Sequence, residues 1–244
     1  MRRPFGRSKP AAKNNRPKPV AKRSLRSRLL RLFLCMLLLG YGWVAGTLLL
    51  FRWVQPPTTA VRLQRRVEAA FRPGTYREQW RPVPLSRISP HLRHAVVAAE
   101  DGNFYRHWGF DFEQLEITVK EDLLEEGRLR GASTLTQQLV KNLYLTTRGS
   151  FVRKGVEATL VPFAEGILGK DRILEIYLNQ AEWGPGVFGA EAAAQFHCRT
   201  SAARLSREQA ARLAAILPSP LRRRPARMNH YSAIIQQRMQ AYGW

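Results

Sequence analysis

Glu100-Asp101-Gly102-Asn103-Phe104-Tyr105-Arg106-His107-Trp108-Gly109 follows directly on a segment with the marks of a helix. From Ser89 to Ala99, Ser89 suits the N-cap, Pro90 the first helical position, and Leu92, Ala95, Val96 and Ala99 fall on one face. An acidic pair therefore ends an apolar-faced helix, and a loop with aromatics, a histidine and two glycines follows. A carboxylate at the rim of a core is partly desolvated, which raises its pKa and makes it a usable proton acceptor near neutral pH. Glu100 and Asp101 are equally readable as solvated residues at a helix end, and this stretch alone does not choose.

Working outward, the 244 residues suffice for one domain of ordinary size plus an appendage. The formal charge of +22 is unevenly spread: residues 1–31 hold 12 Lys and Arg and no acid, and the remainder holds 28 basic against 18 acidic residues. The tail, rich in Pro, Lys, Arg and Asn, is too polar to bury a core and reads as disordered. Leu32 to Phe51 is twenty residues without a charge, between Arg31 and Arg52. As a helix it would span the roughly 30 Å hydrocarbon core, with Trp53 at the far interface, so residues 32–54 are expected to be a transmembrane helix. A cleaved signal peptide has an apolar region of roughly 7–15 residues, shorter than this run. The positive-inside rule puts residues 1–31 in the cytoplasm and everything after Trp53 outside.

That topology gives the charge its meaning. The tail faces anionic membrane phospholipid, where each basic residue near the surface is worth about 1 kcal/mol. Nucleic acid is the usual partner of so basic a chain, but no zinc-finger spacing or RNP-like aromatic motif supports it, and the folded part lies on the wrong side of the membrane. Cys35 in the span and Cys198 in the outer domain cannot pair with each other, so no disulfide framework is expected.

Residues 55–84, with Pro56-Pro57, Arg72-Pro73-Gly74 and Arg81-Pro82-Val83-Pro84, read as a juxtamembrane linker with one short helix from Arg62 to Phe71. The compact domain is expected over 85–244. Its pattern is helical nearly throughout: an acidic, Leu-bearing stretch over 112–126 with Gly127 as a stop, and Ser133 to Tyr144 with Leu135, Leu139 and Leu143 at i+4 steps. Val152, Val156, Leu160, Phe163 and Ile167 mark another helix, and Ile173, Leu174, Tyr177 and Leu178 a third. Ser206 and Gln209 form a capping box before Ala210, Leu213 and Leu217, with Pro218 and Pro220 as the stop. No strand alternation is long enough to name, so the fold class is mostly α.

Besides the Glu100 stretch, three clusters carry chemistry. Gly131 to Asn142 leaves Ser133, Thr134, Gln137, Gln138, Lys141 and Asn142 off the apolar face. Hydroxyls and amides are poor choices for an ordinary solvated helix and suit a polyhydroxylated ligand, although a plain polar face has the same composition. Arg153-Lys154-Gly155-Val156-Glu157 places both cations beside one carboxylate on a helix. This is either a surface ion pair worth a few tenths of a kcal/mol or a cation pair for a phosphate. The segment from Lys170 to Asn179, followed by Gly184, Gly186 and Gly189, is mainly core helix and turn. His91 and His94 share a face but have no further ligand cluster, so no metal site is expected from them. No Ser-x-x-Lys, Ser-x-Asn or Lys-Thr-Gly set supports acyl-enzyme chemistry.

Taken in order behind one apolar span, these clusters closely resemble the four motifs of the family 51 glycosyltransferases, the peptidoglycan polymerases. Glu100-Asp101-x-x-Phe104-x-x-His107-x-Gly109 looks like the first, and Gly131-x-Ser133-Thr134-Leu135-Thr136-Gln137-Gln138 through Lys141-Asn142 like the second. Arg153-Lys154-x-x-Glu157 and Lys170-x-x-Ile173-Leu174-Glu175-x-Tyr177-Leu178-Asn179 look like the third and fourth. The resemblance covers roughly residues 85–220, and without transpeptidase motifs it is to the monofunctional transglycosylases. It implies a lysozyme-like helical domain with its cleft at the membrane surface. The implied substrate is lipid II, an undecaprenyl-pyrophosphate-linked disaccharide-pentapeptide, polymerised through β-1,4 bonds with inversion. By the family's assignments Glu100 is the general base, and Arg153, Lys154 and Lys141 hold the pyrophosphate. Glu157 assists at the leaving group, with a divalent cation (Mg2+ or Mn2+) as the one cofactor in question. Asp101, Phe104, His107, Ser133, Thr134, Gln137, Gln138 and Asn142 complete the substrate-binding set. The growing glycan strand, membrane phospholipid and other cell-wall synthesis proteins are the partners implied, at the bacterial plasma (inner) membrane.

One departure stands out. After Ala192-Ala193-Ala194-Gln195 the family usually has an aromatic pair and then a basic residue, whereas here the chain reads Phe196-His197-Cys198-Arg199. Two alternatives use the same residues. A lysozyme-like hydrolase also places a carboxylate in a helical cleft but has no need of a phosphate clamp, and a non-catalytic membrane scaffold would not need Glu100.

Overall fold

The computed structural model describes residues 25–71, 76–124 and 133–244, the side chains of 119–124 excepted. The chain divides into two compact units, residues 1–42 and 43–244. Helix α1 (Leu25–Phe51) is 27 residues long and apolar enough to cross a membrane. At 1.5 Å per residue it is about 40 Å long, more than a hydrocarbon core requires. It starts earlier than Leu32 because Arg26, Arg28 and Arg31 are interleaved with leucines and do not break a helix.

The second unit is mostly α, as the periodicity requires. In order it contains α2 (Ala60–Ala70), β1 (Gln79–Trp80), α3 (Pro90–Glu100), α4 (Phe112–Leu124), α5 (Leu135–Tyr144), α6 (Phe151–Leu168) and α7 (Lys170–Gln180). There follow β2 (Glu182–Gly184), β3 (Val187–Phe188), α8 (Ala190–Cys198), α9 (Arg207–Ala214) and α10 (Asn229–Ala241). Gly127 and Gly131, expected at a helix stop and in the second motif, lie outside the described residues.

Capping sets the helix starts. Thr134 and Gln137 form a capping box at α5, and Ser206 and Gln209 form another at α9. Ser150 Oγ accepts the Arg153 amide at 3.1 Å to start α6. Leu135 and Leu139 are wholly buried and Leu143 nearly so, each side chain contributing about 1.5–3 kcal/mol by leaving water. That stripe lets α5 pack against α6 and α7 on one side and α2 on the other, while α3 packs against α9 and α10. Ala95 through Ala98 are all buried, so α3 is enclosed on more than the one face its pattern indicates.

Residues 55–71 and 76–84 are themselves structured. Thr59 caps α2, taking the Arg62 amide at 3.1 Å, so this helix begins two residues before the expected Arg62. The Arg62 side chain is buried, ion-paired to Glu78, and lies 4.2 Å from the Trp80 ring centroid. β1 then pairs in parallel with β3, which pairs antiparallel with β2. Strands of two or three residues leave no alternation to read, which is why the sequence did not reveal this sheet.

Candidate active site

The loop after α3 is fixed by Asp101. Its Oδ2 accepts the Leu135 amide at 2.9 Å, joining the loop to the start of α5, and its Oδ1 lies 2.8 Å from His107 Nε2. Gly109 donates its amide to His107 Nδ1 at 3.1 Å, so the proton sits on Nε2 and points at Asp101. Gly109 has φ +85°, and a Cβ there would lie 2.3 Å from Val161, so no other residue fits. Its carbonyl accepts the Thr134 hydroxyl at 2.7 Å. Phe104 is wholly buried, with Lys170 Nζ 4.6 Å from its ring centroid. Lys170 is paired in turn with Glu165 at 2.8 Å, which also accepts the Thr136 hydroxyl at 2.6 Å. Asp101, Phe104 and His107 thus face inward and build the loop that presents Glu100. Gln137 is likewise buried, its Oε1 committed to the Thr134 amide at 2.9 Å.

Glu100 is the last residue of α3, and its Oε2 accepts Gln138 Nε2 at 2.8 Å. Gln138 Oε1 accepts the Tyr177 hydroxyl at 2.9 Å. Burial pushes the Glu100 carboxyl above its ordinary value; the Gln138 bond and the charges of Lys141 and Arg223 pull it back in part, and Asp101 adds to the rise. Burial, with the nearby charges of Glu100 and Asp101, keeps Tyr177 well above the ordinary phenol range, so it stays protonated and its hydroxyl donates to the Gln138 amide oxygen. The result is a desolvated carboxylate with, among the described residues, one neutral donor and no ion pair of its own, suited to accept a proton.

On α6, Glu157 is 2% exposed and both its oxygens are engaged, by Arg153 Nη1 at 2.8 Å and Lys154 Nζ at 2.5 Å. This is therefore no surface ion pair. Lys154 also donates to Ser133 Oγ at 3.1 Å, joining the second and third motifs. Burial pushes Lys141 down, Glu157 and Glu100 pull it up, and Arg153 and Lys154 push it down further. Arg153 and Lys154 pair with one carboxylate whose charge Lys141 also feels, and the buried Arg153 Nε has no hydrogen-bond partner among the described residues. An orphaned guanidinium donor beside surplus positive charge has the chemistry that suits an oxyanion. Asn142 is half-buried on the same helix as Lys141.

A divalent cation does not fit this cluster. Mg2+ and Mn2+ need several oxygen ligands, and here one carboxylate, with both oxygens occupied, is ringed by three positive charges. Asp101, His107 and Asp111 also lie close enough to bind a metal. Their ligand atoms are already taken, Asp101 and His107 as above and Asp111 by Asn103 at 3.0 Å and the Gln114 amide at 2.9 Å.

A cleft of about 640 Å³ opens at Glu100, with Asp111, Ser133 and Thr134 along one side and Arg238 and Tyr242 of the α10 region on the other. The sequence motifs omit the last two, and Tyr177 reads there as core. At the departure noted above, His197 Nε2 lies 2.8 Å from the Trp183 carbonyl, so a polar ring ties α8 to β2 while Phe196 stays exposed.

Residues 66–242 match the family model described as Transglycosylase. The biosynthetic peptidoglycan transglycosylase of Pseudomonas entomophila (strain L48) is 46% identical over 211 residues, covering 86% of this chain and 88% of that one. Its counterpart in Ectopseudomonas mendocina (strain ymp) is 44% identical over 227 residues, 91% of each chain. That of Pseudomonas syringae pv. syringae (strain B728a) is 44% identical over 222 residues, 90% of each. With the match spanning the loop of Glu100, the cation cluster on α6 and all of α10, the chain belongs to the transglycosylase family of glycosyltransferases.

Proposed function

We propose that this glycosyltransferase builds peptidoglycan glycan strands from lipid II, joining disaccharide units by β-1,4 bonds with inversion and releasing undecaprenyl pyrophosphate. The observation that carries this reading is the buried cluster of Arg153, Lys154 and Glu157 with its orphaned guanidinium nitrogen, next to Lys141 and Ser133. A glycan hydrolase has no use for such a cluster.

In this reading Glu100 takes the proton from the acceptor's 4-hydroxyl as that oxygen attacks the donor's anomeric carbon. The bond to pyrophosphate breaks, and Arg153, Lys154 and Lys141 stabilise the charge that builds on the leaving oxygen. Glu157 holds the two α6 cations in place. With three cations aimed at the leaving group, we assign no step to a metal. Exposed apolar side chains, Phe151 and Val152 on α6 and Trp108 and Phe112 near α4, support a domain resting on lipid. We place residues 1–31 in the cytoplasm and the catalytic domain outside the inner membrane, among other cell-wall synthesis proteins. Incubating the full chain with labelled lipid II and separating products by size tests the reading: polymer that Glu100→Gln abolishes supports it, and cleavage of preformed glycan without polymer overturns it.

A further inference from the structure

The α10 region has no part in the four motifs, yet it forms one side of the cleft. It is firmly held there: Ile235 and Met239 are buried, and Arg207 bonds both the Trp244 carbonyl and, at 3.3 Å, the Gln236 carbonyl. His94 of α3 stacks on Trp244 with ring centroids 4.6 Å apart. Tyr242 sits directly over the backbone of Gly102, where a Cβ would come within 2.2 Å of the tyrosine hydroxyl oxygen. Only a glycine two positions after Glu100 admits this ring.

The charges of the cleft are unequal. Asp101 and Asp111 are satisfied by donors within the protein. Arg238 is exposed, makes one long contact to the Ala98 carbonyl at 3.4 Å, and has no carboxylate partner among the described residues. Among the described residues that line the cleft it is the one cation. An aromatic ring 41% exposed beside an unpaired guanidinium on a rigid wall suits a sugar bearing an anionic substituent. The ring takes the apolar face of the pyranose, and the planar fork takes a carboxylate.

We infer that Arg238 and Tyr242 form the wall that recognises the acceptor disaccharide at Glu100, with Arg238 anchoring a carboxylate of the peptide that the disaccharide carries. This rests on the polymerase reading above. A carboxylate suits the site better than a second pyrophosphate, because one isolated guanidinium matches one planar two-oxygen group, whereas the phosphate site gathers three cations.

The test uses the full chain in detergent with two substrates, lipid II and lipid II whose peptide carboxylates are converted to amides. Arg238→Ala is expected to raise KM about tenfold on lipid II with kcat nearly unchanged, and to have no effect on the amidated substrate. Tyr242→Ala is expected to raise KM on both, and Tyr242→Phe to behave as wild type. Equal losses from Arg238→Ala on both substrates, or no loss on either, would overturn the carboxylate anchor. A Tyr242→Phe variant as impaired as Tyr242→Ala would overturn the stacking role. Both side chains are exposed, so neither change threatens the fold. Failure of the wild type to polymerise at all would defeat the functional reading, which is a separate result.

Discussion

Glu157→Gln isolates what the carboxylate on α6 does. The side chain is 2% exposed and is paired with Arg153 and Lys154, whose side chains are 19% and 45% exposed. Removing one partner from a fully buried pair costs about 3–5 kcal/mol, but these cations keep part of their hydration, so about 2 kcal/mol is the expected loss. For a unit of this size that lowers Tm by roughly 4–8 °C. The variant removes the counter-charge paired with Arg153 and Lys154, so an anion should stabilise it more than it stabilises wild type. Ligand at ten times its Kd adds about 1.4 kcal/mol, restoring most of the loss. The assay is thermal unfolding in detergent, followed by near-ultraviolet circular dichroism, with and without inorganic pyrophosphate. Polymerisation should fall about a hundredfold, because cations displaced by an ångström no longer meet the leaving oxygen. An unchanged Tm, or a pyrophosphate shift no larger than in wild type, would refute the view that one carboxylate balances a phosphate-binding cluster.

Glu100→Gln should abolish polymerisation yet raise Tm at neutral pH. The folded state raises this group's pKa, so it binds the proton more tightly than the unfolded chain does, and stability declines as pH climbs from the ordinary carboxylate range through the raised value. The gain in Tm should therefore vanish near pH 4, and a gain equal at both pH values would sink the argument. Tyr177→Phe frees Gln138 to turn its oxygen toward Glu100, raising the carboxyl further. The charged neighbours Lys141, Arg223 and Asp101 are untouched, so the acidic limb of the pH–rate profile should move to higher pH. An unmoved limb would leave Tyr177 a packing residue. Gly102→Ala forces the Tyr242 ring away from the loop and should raise KM for lipid II severalfold with Tm nearly constant, which steady-state rates would reveal.

Long apolar periodicities were readable from the chain because one residue in three or four decides them. Leu135, Leu139 and Leu143 were visible as a stripe, and Ser206 with Gln209 as a capping box, since both patterns are local. The sheet was not, because β1 and β3 lie far apart in sequence and are two residues each. Among the site residues, Glu100, Arg153, Lys154 and Glu157 were legible from charge and spacing. The family resemblance assigns Asp101, His107 and Gln137 to the ligand; the hydrogen bonds that tie them to a backbone amide, to one another and to a cap cannot be seen in a residue's identity. Tyr177 was hidden for the opposite reason, since a tyrosine on an apolar stripe looks like core until its hydroxyl is followed to Gln138.

The two glutamates explain why one chemistry is favoured over its reverse. Glu157 is bound on both oxygens by cations, so its charge is already spent on holding them. Glu100 has a single neutral donor and is otherwise desolvated, so its charge is available for a proton. Lys141 feels the charge of both carboxylates. A hydrolase built on this cleft would need its second carboxylate free to act on water or on the sugar. Here that carboxylate is committed to cations, which is why the reading proposed above is transfer from a phosphate-activated sugar to a hydroxyl rather than hydrolysis.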